Sequence, residues 1–294
     1  MCIFARVMVQ TFRNYLSLIK FSHTVFALPF ALIGFALAIV SGKAEFSGIK
    51  LLLVILCMVL ARSAAMAFNR LIDRHFDAKN PRTAQREIPA GTISAGAARM
   101  LVIVCCLGFI ASCYFINALC FALSPVALAV ILGYSYTKRF TPLCHLVLGL
   151  GLALAPIGAY IALTERFDVL PVIFSAVVFF WTGGFDIIYA LQDEEFDRGQ
   201  GLKSIPVYFG KKNALLLSRV LHVVAGSLVL LAYFSGIFGW LYLIGALVFT
   251  GLLVYQHSIV KVHDLSRVNL AFGTTNGVAS VVLCVFVCAD LLLF

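Results

Sequence analysis

Acidic residues are scarce in this chain. Asp and Glu total 13 of 294 residues, against 22 Lys and Arg, and charged residues of both signs make up only 12%. Hydrophobic residues make up 62%, and the mean hydropathy is +1.03. So apolar a composition excludes a soluble globular domain. Barrel-type alternation of polar and apolar residues is missing too, which argues against a membrane β-barrel. None of the nine cysteines forms a Cys-x-x-Cys pair, and eight lie within apolar runs. They read as small hydrophobes packed between helices rather than as disulfides or metal ligands. No soluble basic domain accompanies the net charge of +9, so nucleic-acid binding is not expected. The positive charge suits a rim that meets membrane lipids and anionic substrates.

What the chain has in abundance is long uncharged sequence. Residues 100–137 and 220–260 contain no Lys, Arg, Asp or Glu, and residues 268–289 add another such run. About 18 apolar residues suffice for a helix to cross a bilayer, and a helix satisfies its own backbone in lipid. Nine spans are predicted, at 22–40, 51–68, 98–116, 118–136, 143–163, 169–191, 214–234, 236–256 and 270–291. The expected fold class is therefore all-α, a polytopic membrane protein forming one domain over residues 1–294. The first span is too long for the apolar core of a signal peptide and reads as an uncleaved anchor. With the N-terminus in the cytoplasm, 19 of the 22 Lys and Arg fall on the cytoplasmic side, leaving only Lys43, Lys50 and Arg166 outside. The positive-inside rule expects that asymmetry.

The few acids are concentrated. Eight of the 13 lie between Asn69 and Glu87 or between Asp186 and Asp197. Asn69, Asp73 and Asp77 are spaced i, i+4, i+8, which stacks three oxygen donors on one helix face. Asp193 and Asp197 repeat the i, i+4 spacing, with Glu194, Glu195 and Asp186 nearby. Four predicted spans separate the two clusters, so both reach the same face of the membrane. Mg²⁺ takes oxygen ligands and typically combines one or two carboxylates with substrate phosphates. Two clusters on one face suit a metal-bound diphosphate. A solvated helix end, with Arg70 and Arg74 as salt-bridge partners, is the alternative for the first cluster, and a charged loop cap for the second.

Basic residues follow each cluster: Lys79, Arg82 and Arg86 after the first, Arg198 and Lys203 after the second. Lys138 and Arg139 join them on the same face. Arg suits bidentate phosphate recognition and Lys acts as a point charge, although a basic rim would supply some of these anyway. Arg62 lies inside the second span, where a charge is by default a functional candidate. It could hold an acceptor carboxylate, pair with Asp73, or snorkel to the membrane edge. His23, His145, His222 and His257 lack metal spacing and read as polar packing residues.

The chain resembles the UbiA family of membrane prenyltransferases at these residues. The first motif stands as Asn69-Arg-Leu-Ile-Asp73-Arg-His-Phe-Asp77, followed by Arg82-Thr83-Ala-Gln-Arg86-Glu-Ile-Pro89-Ala-Gly91. The second stands as Asp186-Ile-Ile-Tyr189-Ala-Leu-Gln-Asp193-Glu-Glu-Phe-Asp197, and Tyr134-Ser-Tyr-Thr-Lys138-Arg139 lies between them. The resemblance implies nine helices around a central cavity capped by two cytoplasmic loops, in a bacterial inner membrane. It implies Mg²⁺-dependent transfer of a prenyl group from a prenyl diphosphate to an aromatic ring. Asn69, Asp73, Asp77, Asp193 and Asp197 would hold the metal, and Asp73, Asp77, Asp193 and Asp197 would carry the catalysis. Arg82, Arg86, Lys138, Arg139, Tyr189 and Lys203 would hold the diphosphate, and Arg62, His23 and Asp186 the acceptor. One departure is Arg70, where many members carry Asp. The pattern is most similar to the 4-hydroxybenzoate polyprenyltransferases of quinone biosynthesis, with a branch acting on a dihydroxynaphthoate for menaquinone as the alternative. A transporter with an acidic cation site is the competing non-enzyme reading; such sites usually lie near the bilayer centre rather than at one edge.

Overall fold

The computed structural model describes residues 10, 13–20 and 26–293; His23 lies outside them. From residue 28 onward the described residues form these α-helices, after a helical stretch at 13–18: α1 (Leu28–Val40), α2 (Gly48–Lys79), α3 (Ala95–Ile116), α4 (Ala118–Thr137), α5 (Cys144–Thr164), α6 (Val169–Ala190), the short α7 (Glu194–Gly199), α8 (Ile205–Ala232), α9 (Trp240–Ile259) and α10 (Asn276–Leu293). Among the described residues, eight helical segments are long and apolar enough to cross a membrane, and α1 is apolar but 13 residues long. The chain is an integral membrane protein built from helices. Its outward surface is apolar where lipid would lie, as at Phe115, Val223 and Leu247.

Caps set several helix starts. The Ser47 side chain accepts from the Lys50 N–H, Ser94 from Ala97, Asn117 from Cys120 and Ser204 from Val207. Each satisfies one of the backbone donors left free in a helix's first turn. The sequence reading ends the second span at 68, but α2 continues to Lys79. No Pro or Gly interrupts residues 69–79, so helix persists after hydrophobicity stops and carries the first acidic motif beyond the apolar stretch. α8 has a short helical stretch from Ile205, set off from the span expected near 214 by a kink at Gly210 (φ 77°), whose backbone is not helical. Positive φ at that position favours glycine.

α5 and α6 pack together, α6 packs on α8, α1 on α5, and α9 on α10, which returns to α1. α2, α3 and α4 close the other side. Small residues permit the tightest contacts. A Cβ at Gly34 would stand 2.0 Å from the Pro156 carbonyl oxygen, and one at Gly149 would stand 2.6 Å from that of Phe179. One buried polar cluster ties three helices together. The Asn276 side chain accepts from Trp181 Nε1 (2.9 Å) and Gln256 Nε2 (2.6 Å), while its Nδ2 donates to the Ala271 and Phe272 carbonyls at the widened turn of Leu270–Thr275. Widened turns of this kind leave carbonyls off the regular ladder.

Candidate active site

A cavity of about 880 Å³ opens among α2, α3, α4, α5 and α6. Its wall is polar at the end carrying the acidic motifs and apolar over most of its depth, where Val54, Phe109, Leu152 and Ile161 contribute. The polar end holds Asn69, Asp73, Asp77, Asp193 and Asp197, together with Arg62, Arg82, Arg86, Lys138, Asp186 and Tyr189. The two clusters, 120 residues apart from Asp73 to Asp193, therefore face one space. α2 supplies the first, with Asn69 Nδ2 donating to Asp73 Oδ2 at 3.1 Å. The end of α6 and the short α7 supply the second.

Each principal carboxylate is matched by a cation from elsewhere in the chain. Asp73 meets Lys138 Nζ at 3.0 Å and Arg139 Nη2 at 3.4 Å. Asp77 meets Arg86 Nη1 at 2.7 Å. Asp193 takes a two-pronged contact from Arg82, through Nε at 2.9 Å and through Nη2. Arg82 Nη1 also donates to the Tyr189 hydroxyl at 2.9 Å, and its guanidinium lies 5.2 Å from the Tyr189 ring centroid. Arg82 belongs to the loop after α2, so this contact ties the first motif's loop to the second motif's helix. Asn80 reinforces it: its amide donates to Asp193 Oδ1 at 3.1 Å while its Oδ1 accepts from the Arg82 N–H at 3.0 Å.

Not every residue singled out from sequence comes to the cavity. Arg139 stacks near Phe76 and Tyr136 and donates to the Ile72 carbonyl outside the lining. Lys203 donates from Nζ to the Phe140 carbonyl, and neither residue lines the space. Two contributors were missed. Asn80 carries the signal of an Asn directly before Pro in a turn. His145, read as packing, binds Asp186 through Nδ1 at 2.7 Å and lines the cavity; as a lone histidine it offered no sequence signal.

The donor set fits a hard cation that shares its ligands with a substrate. The groups are oxygen donors, and Asp77 Oδ2 is buried with no hydrogen-bond partner among the described residues. Among those residues no three His, Cys, Asp or Glu side chains are grouped closely enough to hold an ion unaided. That suits Mg²⁺, which usually keeps part of its shell for phosphate and water. The Arg62 Nε and the Arg70 Nε and Nη1 are likewise buried without partners among the described residues. Both residues line the cavity, so guanidinium donors without hydrogen-bond partners border the space.

The UbiA prenyltransferase family matches residues 27–287. The chain belongs to that family. As a UbiA member it is a prenyltransferase. Over 222 residues it is 29% identical to the 4-hydroxybenzoate octaprenyltransferase of Salmonella newport (strain SL254), covering 76% of each chain. A UbiA homolog from Aeropyrum pernix K1, solved in its apo form, superposes with a TM-score of 0.79 at 29% identity, over 92% of this chain and 97% of that one. A UbiA homolog from Archaeoglobus fulgidus bound to GPP and Mg²⁺ shares the fold, with a TM-score of 0.71 at 20% identity over 95% of this chain and all of that one. The UbiA fold thus accounts for nearly the whole described chain.

Proposed function

We propose that this enzyme transfers a polyprenyl group from a prenyl diphosphate to an aromatic carboxylic acid of the 4-hydroxybenzoate type, with Mg²⁺, in respiratory quinone biosynthesis. One observation carries the reading: the two carboxylate clusters meet across one cavity mouth through the Arg82 contacts to Asp193 and Tyr189. The octaprenyltransferase relatives support the acceptor class, and the GPP- and Mg²⁺-bound homolog supports the donor and the metal.

Asn69, Asp73, Asp77, Asp193 and Asp197 would hold Mg²⁺, which when bound neutralises the diphosphate and makes it a better leaving group. The chain's own cations do the rest of the electrostatics. Lys138, Arg86 and Arg82 now rest on carboxylates. They turn to the diphosphate oxygens as it enters, so the site exchanges internal ion pairs for substrate contacts. Such preorganised charge is worth most where water is excluded. The allylic C–O bond breaks with its electron pair going to the diphosphate. The apolar walls shield the resulting cation from water until the phenol ring attacks it. Arg62, buried and lacking a partner at Nε, is suited to hold the acceptor carboxylate.

The N-terminus and motif loops face the cytoplasm of a bacterial inner membrane in this reading, supported by the bias of 19 of 22 Lys and Arg toward that side. A membrane-impermeant thiol reagent added to intact cells then labels Lys43→Cys and not Lys79→Cys; the opposite pattern inverts the topology. The enzymatic test is an acceptor panel of 4-hydroxybenzoate, a dihydroxynaphthoate and homogentisate with one long prenyl donor. Product should form with the first acid, require Mg²⁺, and vanish in folded Asp73→Ala and Asp193→Ala variants. Preference for the naphthoate would move the enzyme to menaquinone synthesis, and near-normal turnover by either variant would remove the metal role.

A further inference from the structure

Arg62 and Asp186 both line the cavity and take no part in holding the diphosphate in this reading. Asp186 on α6 lies seven residues before Asp193, and Arg62 on α2 lies seven before Asn69. At 1.5 Å per residue, each sits about 10 Å along its helix from the metal-ligand level. Tyr134 is an electrostatic neighbour of Arg62, Asp73 and Asp186 alike, so the three elements surround one part of the space.

His145 fixes Asp186 in this place. Its Nε2 accepts from the Ile205 backbone N–H at 3.4 Å, which leaves the ring proton on Nδ1, 2.7 Å from Asp186 Oδ2. His145 is 4% exposed, whereas the Asp186 side chain keeps 21% exposure toward the cavity. The other Asp186 oxygen accepts no hydrogen bond from the described residues. Close packing of α5 on α6 sets the distance: a Cβ at Gly183 would stand 2.9 Å from Leu146 Cδ2, and one at Gly149 would stand 2.6 Å from the Phe179 carbonyl oxygen.

We propose that Asp186, oriented by His145, is the base that removes the ring proton of the acceptor; this rests on the aromatic prenyl transfer above. When the new C–C bond has formed, the ring carbon still carries its hydrogen. That C–H bond breaks, its electron pair restores the aromatic ring, and the proton goes to the free oxygen of Asp186. The carboxylate becomes a neutral acid, still held by the His145 N–H, and later yields the proton to the departing diphosphate or to water. Asp186 is the catalytic residue and His145 its positioning residue.

The test uses full-length enzyme in membranes with geranyl diphosphate, Mg²⁺ and 4-hydroxybenzoate carrying either hydrogen or deuterium at both carbons beside the hydroxyl. Wild type should show an isotope effect near unity, because the ring proton leaves after the slow step. Asp186→Asn should lose roughly 10²–10⁴-fold in kcat, the range for a general base, with a primary isotope effect appearing and the donor KM unchanged. His145→Ala should show the same isotope effect with a smaller loss, and His145→Gln, which keeps a donor, should recover part of it. Variants that lose rate while the isotope effect stays at unity would overturn the assignment, as would an Asp186→Asn enzyme of normal rate. A wild type that prenylates none of the acceptors would instead sink the reaction itself.

Discussion

Replacing Arg82 separates a structural strap from a substrate clamp, because the two roles differ in size. The guanidinium makes a two-pronged contact with Asp193 and a third hydrogen bond to Tyr189. Its side chain is 32% exposed and that of Asp193 17%, so solvent screens the pair and its contribution to folding is about 1 kcal/mol at most. For a chain of this size that is a fall in Tm of about 2–4 °C. A cationic donor aimed at charge that develops in the transition state is worth far more, about 10²–10³ in rate. Arg82→Ala should therefore melt within a few degrees of wild type and lose about 10²–10³-fold in kcat/KM for the prenyl diphosphate. Arg82→Lys keeps the charge but not the planar fork, and should fall between. Initial rates against donor concentration, paired with a thermal melt in detergent, read both quantities. Arg82→Ala with kcat/KM within about threefold of wild type would show that the residue only straps the loop to α6, and the exchange of internal ion pairs for diphosphate contacts would fall with it.

Lys138 and Arg139 both reach Asp73, but only Lys138 lines the cavity; Lys138→Ala should reduce kcat/KM much more than Arg139→Ala, and equal losses in the same assay would contradict the placement. At the far end of the chain, the buried Asp290 accepts from the backbone N–H groups of Gly239 (2.7 Å) and Tyr242 (3.1 Å) at the start of α9. Asp290→Ala leaves both without that acceptor and should lower stability by about 1–3 kcal/mol, read as a lower Tm, while an unchanged Tm would rule out the cap. Asp168 has its carboxylate held below the ordinary value by hydrogen bonds from Lys43 and from Tyr160. A carboxylate so lowered stabilises the fold above its ordinary pKa and loses that contribution as pH falls through the lower folded value. Wild type and Asp168→Asn should thus differ in Tm at neutral pH and converge in acid, and parallel melting curves across that range would refute the linkage.

Much of the bundle was legible because lipid leaves few choices. Runs such as 100–137 and 220–260 cannot avoid burial in a bilayer, and helix is the form that satisfies their backbone there. The i, i+4, i+8 spacing of Asn69, Asp73 and Asp77 already placed them on one face, since helical periodicity is local. Boundaries were less legible: α2 outlasts its apolar stretch by 11 residues, because hydropathy marks where lipid begins and not where hydrogen bonding stops.

By itself, then, the chain's order of residues determined the helical class, the shared membrane face of the two acidic motifs and the residue types that meet an anionic substrate. Tertiary structure alone decided which partner answers which carboxylate: Arg82 for Asp193, Lys138 for Asp73, and the histidine at 145 for Asp186. Those pairs join residues 41 to 111 positions apart. Their distances depend on how closely helices approach at glycines such as Gly149 and on the path of the loop after α2, and no local pattern encodes either.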